Sequence, residues 1–351
     1  MSRPTIADIA HAAGVSSTAV SFALNGRPGL APATRERIKA VADEMGWVPS
    51  AAARALSTSR VNALGLVITT SFEVIPSDTF YLHLITGIER ELAGSPVALV
   101  LKMVETFEDE LRAIRQWHGE SRVDGVVLVN PRLEDPRPGL VHSLGLPAVF
   151  IGRPPTSAPV STVEIDDEQT MATLLADLAA MGCRSLAYVR TVSEFEHDAA
   201  RQKALQASDT AGIAIVPAAP VTPADGHLAD QIDERLNQLV QLGLPDVIVC
   251  EDEMITLAML HGLTERGLRV PEDVGLVSWE STPGLVMRSP RLSTLERSPA
   301  VLGEEAVRIL RGMRERGAQA GPVHRSIDAP RLVVRDSLRP VSRTGAGSAD
   351  A

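Results

Sequence analysis

Apolar side chains recur at two different periods along the 351 residues, and the change of period divides the chain. Over the first sixty residues the spacing is helical. Ile6, Ile9, Ala10 and Ala13 fall on one stripe of a short helix. Thr5 precedes that stripe with Asp8 three positions on, a start signal close to a capping box. Gly14-Val15 ends the helix and Ser16 can cap the next, in which Val20 and Leu24 point inward. That leaves Ser17, Thr18, Ser21, Phe22 and Asn25 on its outer face. A third helix is expected from Pro32 to Gly46, with Thr34 near its start and Ile38, Val41, Ala42 and Met45 as its inner stripe. Pro49-Ser50 can then open a short helix through Ala51, Ala52, Ala53, Arg54, Ala55 and Leu56, all good helix formers. A helix of that length is marginal alone in water.

Beyond residue 60 near-continuous apolar runs alternate with helical patterns. The runs are Ala63–Ile68, Val97–Lys102, Gly125–Val129, Ala148–Gly152, Ser185–Arg190, Asp246–Glu251 and Gly275–Trp279. Between most of them lie amphipathic stretches such as Leu82–Leu92, Asp109–Trp117, Gln169–Met181, Ala229–Leu242 and Met254–Arg266. Apolar strands alternating with helices predict parallel sheets covered on both faces. Such sheets bind ligands at the carboxyl ends of their strands. Polar residues stand there: Asn130 and Arg132, Gly152-Arg153, Glu251-Asp252-Glu253, and Trp279-Glu280, with Asp166-Asp167 opening a helix. Each has a plainer reading beside the functional one. Asp166-Asp167 and Asp252 are also good helix caps, the arginines good ion-pair partners, and Trp279 a good core residue.

Charge sharpens the division. The first sixty residues hold seven basic and four acidic side chains, net +3, while the whole chain is −10, so the remainder carries −13. A basic head on an acidic body puts phosphate contact at one end. On that head, short hydroxyls can reach phosphates or base edges, and a ring such as Phe22 can pack on a thymine methyl. The N-terminus enters a helix with no basic-then-apolar leader, and no apolar run approaches the ~20 residues that cross a bilayer. Two cysteines, Cys183 and Cys250, suggest no disulfide framework. These features predict a soluble cytoplasmic protein. No nucleophile elbow, phosphate-cradling glycine loop or metal-ligand spacing occurs, so neither an enzyme nor a metal or cofactor site is expected. Glu194, Glu196, His197 and Asp198 read as a solvated loop.

The segments TIADIA, AGVS, AVS, LNG, TRERI and PSAAARAL resemble the lactose-repressor (LacI/GalR) family of bacterial transcription regulators. The likeness continues through SRVNALGLVI, GIERELA, VDGVVLV, VFIGR, GLRVPEDVGLVSW and SPRLSTL to LVVRDSL, nearly the whole chain. It implies an all-α helix-turn-helix head with a hinge helix over residues 1–60. A two-lobed α/β sensor like periplasmic sugar-binding proteins would follow over 61–340, then a disordered tail, 341–351. The chain would cross between lobes near Ser157–Glu164, Ser289–Leu295 and Ala320–Ser326. Carried across position by position, the DNA contacts are Thr5, Ser16, Ser17, Thr18, Ser21, Phe22, Asn25 and Thr34, with Ala53, Arg54 and Leu56 in the hinge. The likeness gives Leu56 the role of a minor-groove wedge. The effector candidates are Phe80, Arg153, Arg201, Asp252, Trp279 and Glu280, suited to a carbohydrate by their acceptors, forked donors and aromatic faces. A homodimer on a near-palindromic double-stranded DNA operator is implied.

Several positions depart from that pattern. Glu251-Asp252 stands where the family commonly has Asn-Asp, and Glu280-Ser281 where it has two aspartates. Phe22 occupies a position that is often arginine in relatives. The expected function is therefore a repressor released by a small ligand, with a ligand that tightens DNA binding, or a solute-binding protein, as the alternatives.

Overall fold

The computed structural model describes residues 4–47, 60–69, 79–222, 227–316 and 321–341. The chain divides into two compact units between Val61 and Asn62. The expected hinge residues Ala53, Arg54 and Leu56 lie outside the described residues, as does 342–351 of the expected tail. Val341 is described, and its N–H donates to the Met181 carbonyl at 2.9 Å, so it is no loose end.

Among its described residues the head contains α1 (Ile6–Ala13), α2 (Ser17–Leu24) and α3 (Pro32–Glu44). Thr5 and Asp8 form a full capping box at the start of α1, and Gly14 ends it in the left-handed conformation at φ 63°. The Ser16 hydroxyl accepts from the Ala19 N–H and caps α2. Ile9, Val20, Ala23 and Ile38 meet in the centre, with Ala10, Ala13 and Ala42 closing around them. The inward residue of the last turn of α2 is thus Ala23, while Leu24 is only half-buried. Trp47 packs against this cluster beyond α3, a contact that the helical stripe alone does not predict.

Among the described residues the body contains two six-stranded sheets. The first is built from β1 (Ala63–Thr69), β2 (Ala98–Val104), β3 (Gly125–Leu128), β4 (Ala148–Ile151), β5 (Ser161–Glu164) and β11 (His324–Ser326), in the order β11-β5-β4-β3-β1-β2. The second holds β6 (Ser185–Val189), β7 (Ala214–Ile215), β8 (Val247–Cys250), β9 (Gly275–Ser278), β10 (Ser293–Glu296) and β12 (Arg331–Val333), in the order β12-β10-β9-β8-β6-β7. Every pairing is parallel except β10 with β12. All residues of β3, β4, β8 and β9 are buried, as expected of strands covered on both faces. The helices that surround the sheets are α4 (Thr79–Leu92), α5 (Phe107–Gly119), α6 (Arg137–Leu144), α7 (Asp167–Ala180), α8 (Glu196–Gln206), α9 (Leu228–Leu242), α10 (Glu253–Glu265), the single turn α11 (Pro283–Val286) and α12 (Pro299–Arg316).

The chain passes between the lobes three times, each a few residues later than expected. β5, β10 and β11 occupy the expected crossing stretches, so the passages fall at 165–166, 297–298 and 327–330. The delay in the first two has a simple cause: Ser161–Glu164 and Ser293–Glu296 each open with two hydroxyl residues before one apolar residue, and those hydroxyls are buried in strands where they find partners. The Ser161 hydroxyl, for example, accepts from the Val323 N–H at 3.0 Å. After the second passage α12 returns to the first lobe and lies against α4. There Gly87 faces Ala300, and Gly303 faces Leu84 and Ile88.

Candidate functional site

On the head, Ser16, Ser17 and Thr18 are exposed at the start of α2, and Thr5 is exposed before α1. Ser21 and Thr34 are half-buried. The Asn25 side chain turns back to donate to the Ser21 carbonyl at 2.9 Å, closing its own helix. Phe22 is not the bare ring expected from spacing. It is half-buried, with the Arg27 guanidinium 5.9 Å from its centre, and a Cβ at Gly29 would lie 3.9 Å from its edge. Arg35 holds this loop from α3, donating to the Arg27 carbonyl at 2.6 Å. The exposed hydroxyls sit at the opposite end of α2, on the turn that the Ser16 cap closes.

In the body the six expected effector residues do not converge on one hollow. Arg201, on α8, is buried. Its guanidinium donates to Asp167 at 2.7 Å and Glu251 at 3.2 Å and stacks 4.4 Å from the Trp279 ring centre. Burial opposes its charge, but Asp167, Tyr188 and Glu251 outweigh that and hold it firmly protonated. Trp279 is core. Glu280 accepts from Arg297 at 2.7 Å, and Arg297 lies 5.2 Å over the Phe80 ring. Arg153 is largely exposed and pairs with Glu164. Asp252 caps α10, accepting from the Ile255 N–H at 2.7 Å. Of the two aspartates at the start of α7, Asp166 caps the helix and Asp167, its first residue, serves Arg201.

A cavity of about 330 Å³ lies beside them, and none of the six lines it. The first lobe contributes Thr69, Tyr81, Glu105, Phe107, Glu110, Asn130, Arg132 and Arg137; the second contributes Val192–Phe195. Its floor is a buried ion network. Arg137 donates to Glu110 at 2.7 Å, Asp135 at 2.6 Å and the Val129 and Asn130 carbonyls at 2.9 Å. Phe107 and Phe150 flank its guanidinium at 5.3 and 5.5 Å. Thr69 donates to Glu110 at 2.6 Å, and Asn130 to the Tyr81 hydroxyl at 2.8 Å. The walls thus combine fixed acceptors, donors and aromatic edges, the mixture that binds hydroxylated rings. Asn130 and Arg132 were visible as strand-end residues. Glu110 and Arg137 were not, because they stand inside and at the start of helices, 27 positions apart.

The segment read as a solvated loop is largely helix. Glu196, His197 and Asp198 open α8, and Asp198 is buried and accepts from Arg190 at 2.9 Å. Only Glu194 is exposed, and it pairs with Arg132 across the lobes. Burial, then the charges of Asp167, Glu164 and Asp166, pushes the Glu196 carboxyl from 4.5 up to about 7, with Arg153 opposing. Burial and Arg201 push His197 from 6.5 down to about 4, against Asp167 and Glu251. Their effects on stability have opposite signs. Glu196 keeps its proton in the folded state up to about 7 and loses it near 4.5 when unfolded, so its contribution falls as pH rises across that interval. The contribution of His197 is lost as pH falls from 6.5 to about 4. Glu196→Gln copies the protonated carboxyl and leaves His197 and Asp198 in place. The melting temperature of the variant minus that of the parent should be near zero at about pH 5 and clearly positive at about pH 8. A difference that does not change with pH would show that Glu196 titrates normally.

Among the described residues no group of three His, Cys, Asp or Glu could hold a metal, and no helix is long and apolar enough to cross a membrane.

Residues 5–50 match the family described as bacterial regulatory proteins, lacI family, and residues 175–338 match the periplasmic binding protein-like domain. The transcriptional regulator CelR of Thermobifida fusca is 27% identical over 337 residues, covering 95% of this chain and 98% of its own. The transcriptional repressor PurR of Mannheimia succiniciproducens is 26% identical, covering 96% and 99%. Among solved structures, a CelR–cellobiose complex aligns with TM-score 0.69 at 25% identity over 95% of this chain and all of that one. The lac repressor dimer bound to operator and the anti-inducer ONPF aligns with TM-score 0.80 at 20% identity, covering 96% and 99%.

Proposed function

The chain belongs to the lacI family of bacterial regulatory proteins, and on that premise we propose that it is a sequence-specific transcriptional repressor whose hold on DNA is set by a small molecule between the lobes. The observation that carries this reading is the exposed Ser16-Ser17-Thr18 turn, fixed by the Ser16 cap on a basic head. A helix start of that kind offers hydroxyls and N–H groups to phosphates while its first turns meet base edges. Thr5 and Thr34 support it at the rim, and Ala53, Arg54 and Leu56 form the hinge contact in this proposal. The protein acts as a homodimer in the cytoplasm, one head per half-site, because one helix reads too few base pairs alone. Its effector is a carbohydrate, a reading supported by the solved complex of the related CelR with cellobiose. The cavity floored by Arg137 is the preferred seat, with Arg201, Trp279, Glu280, Phe80, Arg153 and Asp252 forming and supporting the neighbouring cleft. Release on binding is the expected direction.

The test is selection of binding sites from random DNA by the full-length protein, with and without a metabolite extract. A near-palindrome with half-sites about one helical turn apart is expected; no enriched site under either condition overturns the reading. Repeating the selection with Phe22→Arg tests how α2 faces the groove. Arginine can bond guanine in bidentate fashion, worth about 1–3 kcal/mol of discrimination, so one half-site position should shift toward G. An unchanged site would make Phe22 a packing residue on Gly29 and nothing more.

A further inference from the structure

The two lobes touch at a contact that the chain passages do not require. Arg132, after β3, pairs with Phe195, before α8, as a two-residue antiparallel bridge. The Leu133 N–H donates to the Glu194 carbonyl at 3.0 Å and the Glu196 N–H to the Pro131 carbonyl at 2.9 Å. The Arg132 side chain pairs with Glu194 and lies 4.4 Å over the Phe107 ring. Arg132, Glu194 and Phe195 are also walls of the cavity. We propose that this bridge is a clasp that holds the lobes shut over the cavity and parts to let a small molecule in or out.

Three features favour a clasp over a permanent seam. The bridge belongs to neither sheet, and two backbone bonds carry it. Leu133 and Glu194, which make one of the two bonds, are exposed, so water can replace that bond as it opens. Each half is nevertheless held firmly on its own lobe. Pro131 packs on Gly152, where a Cβ would come within 2.8 Å, and Phe195 is the N-cap residue of α8. Rigid halves joined by few bonds part as units rather than fraying.

The geometry allows the clasp to be cut at one atom. Glu196 is the first residue of α8, where proline is favoured, and Phe195 before it already has the extended φ −83°, ψ 147° that proline demands. Glu196→Pro therefore removes one clasp donor and keeps the helix; Glu196→Ala removes the carboxylate and keeps the donor. Leu133→Pro removes the other donor from the first lobe. Spin labels at Ser143→Cys on α6 and Leu242→Cys on α9, both exposed, report the lobe separation, since Cys183 and Cys250 are buried. The parent and Glu196→Ala should give one narrow distance. Glu196→Pro and Leu133→Pro should each add a longer population of at least about a tenth of the molecules. Parent-like distances in whichever proline variants fold overturn the clasp, as does opening by Glu196→Ala alone. The clasp's purpose rests on the cavity being the effector seat proposed above, but this test needs neither DNA nor effector. A failed DNA selection would therefore remove the repressor reading and leave the clasp standing.

Discussion

Replacing Arg137 with alanine should cost the body about 3–5 kcal/mol, the usual result of stripping one partner from a buried ion cluster. The side chain is 1% exposed, and its acids Glu110 and Asp135 are 3% and 1% exposed. Burial works against the guanidinium's charge, but the hydrogen bonds and charges of Asp135 and Glu110 more than offset it. Without the guanidinium, Glu110 retains the Thr69 hydroxyl and Asp135 retains the backbone N–H groups of positions 132 and 137, but both carboxylates lose their countercharge and the carbonyls of Val129 and Asn130 lose its donors. Set against a typical total of about 5–15 kcal/mol, that loss is large. Lysine should not rescue it, because a single ammonium cannot serve two acids and two carbonyls arranged around a planar fork. Arg137→Met combined with Glu110→Gln and Asp135→Asn should recover much of the loss, since it removes the charges together. Denaturant unfolding of the three proteins measures this directly. A loss below about 1 kcal/mol in Arg137→Ala would mean that water reaches the cluster and that the cavity floor is open.

What the sequence made legible follows from which physical signal each element carries. β1, β3, β4, β8 and β9 carry no polar side chain except Thr69 and Ser278 at strand ends, and that pattern has few other uses, so their positions were readable to within a residue or two. The Thr5–Asp8 box and Gly14 marked the ends of α1 in the same way. β5 and β10 were missed because Ser161, Thr162, Ser293 and Thr294 look like turn residues until their buried partners are known. α8 was missed at its start because Glu196, His197 and Asp198 look solvated, whereas Arg190, 8 positions before Asp198, buries that end. The site followed the same logic. Arg201 and Glu280 were found as strand-end and helix charges, yet their partners Asp167, Glu251 and Arg297 turn them into a packed ion network. The Glu110–Arg137 floor depends on two helices meeting, a tertiary fact with no local trace.

A methyl group at Gly87 should be as damaging as the loss of Arg137, although intrinsic propensity argues for a gain. Alanine favours a helix interior over glycine by about 1 kcal/mol. At Gly87 on α4, however, the new Cβ would lie 1.9 Å from the Ala300 carbonyl oxygen and 2.6 Å from its carbon. The obstacle is backbone, which cannot rotate away as a side chain can. Gly303 on α12 presents the reciprocal case, with a Cβ 2.4 Å from the Leu84 oxygen and 2.8 Å from the Ile88 nitrogen. The two helices must separate to admit either methyl, loosening Leu84, Ile88, Leu302 and Ala306 in the core they share. Overpacking typically costs about 1–3 kcal/mol, and a backbone obstacle belongs at or beyond the upper end, so each Gly→Ala change should destabilise by about 3 kcal/mol net. Gly312→Ala on the same helix is the control. Its Cβ would meet only the Arg316 guanidinium at 2.8 Å, which can swing aside, so propensity should win and stability should rise by up to about 1 kcal/mol. Thermal melts of the three variants decide it. If Gly87→Ala melts at or above the parent, α4 and α12 are not held at glycine distance, and the wall that Tyr81 of α4 gives the cavity is free to move.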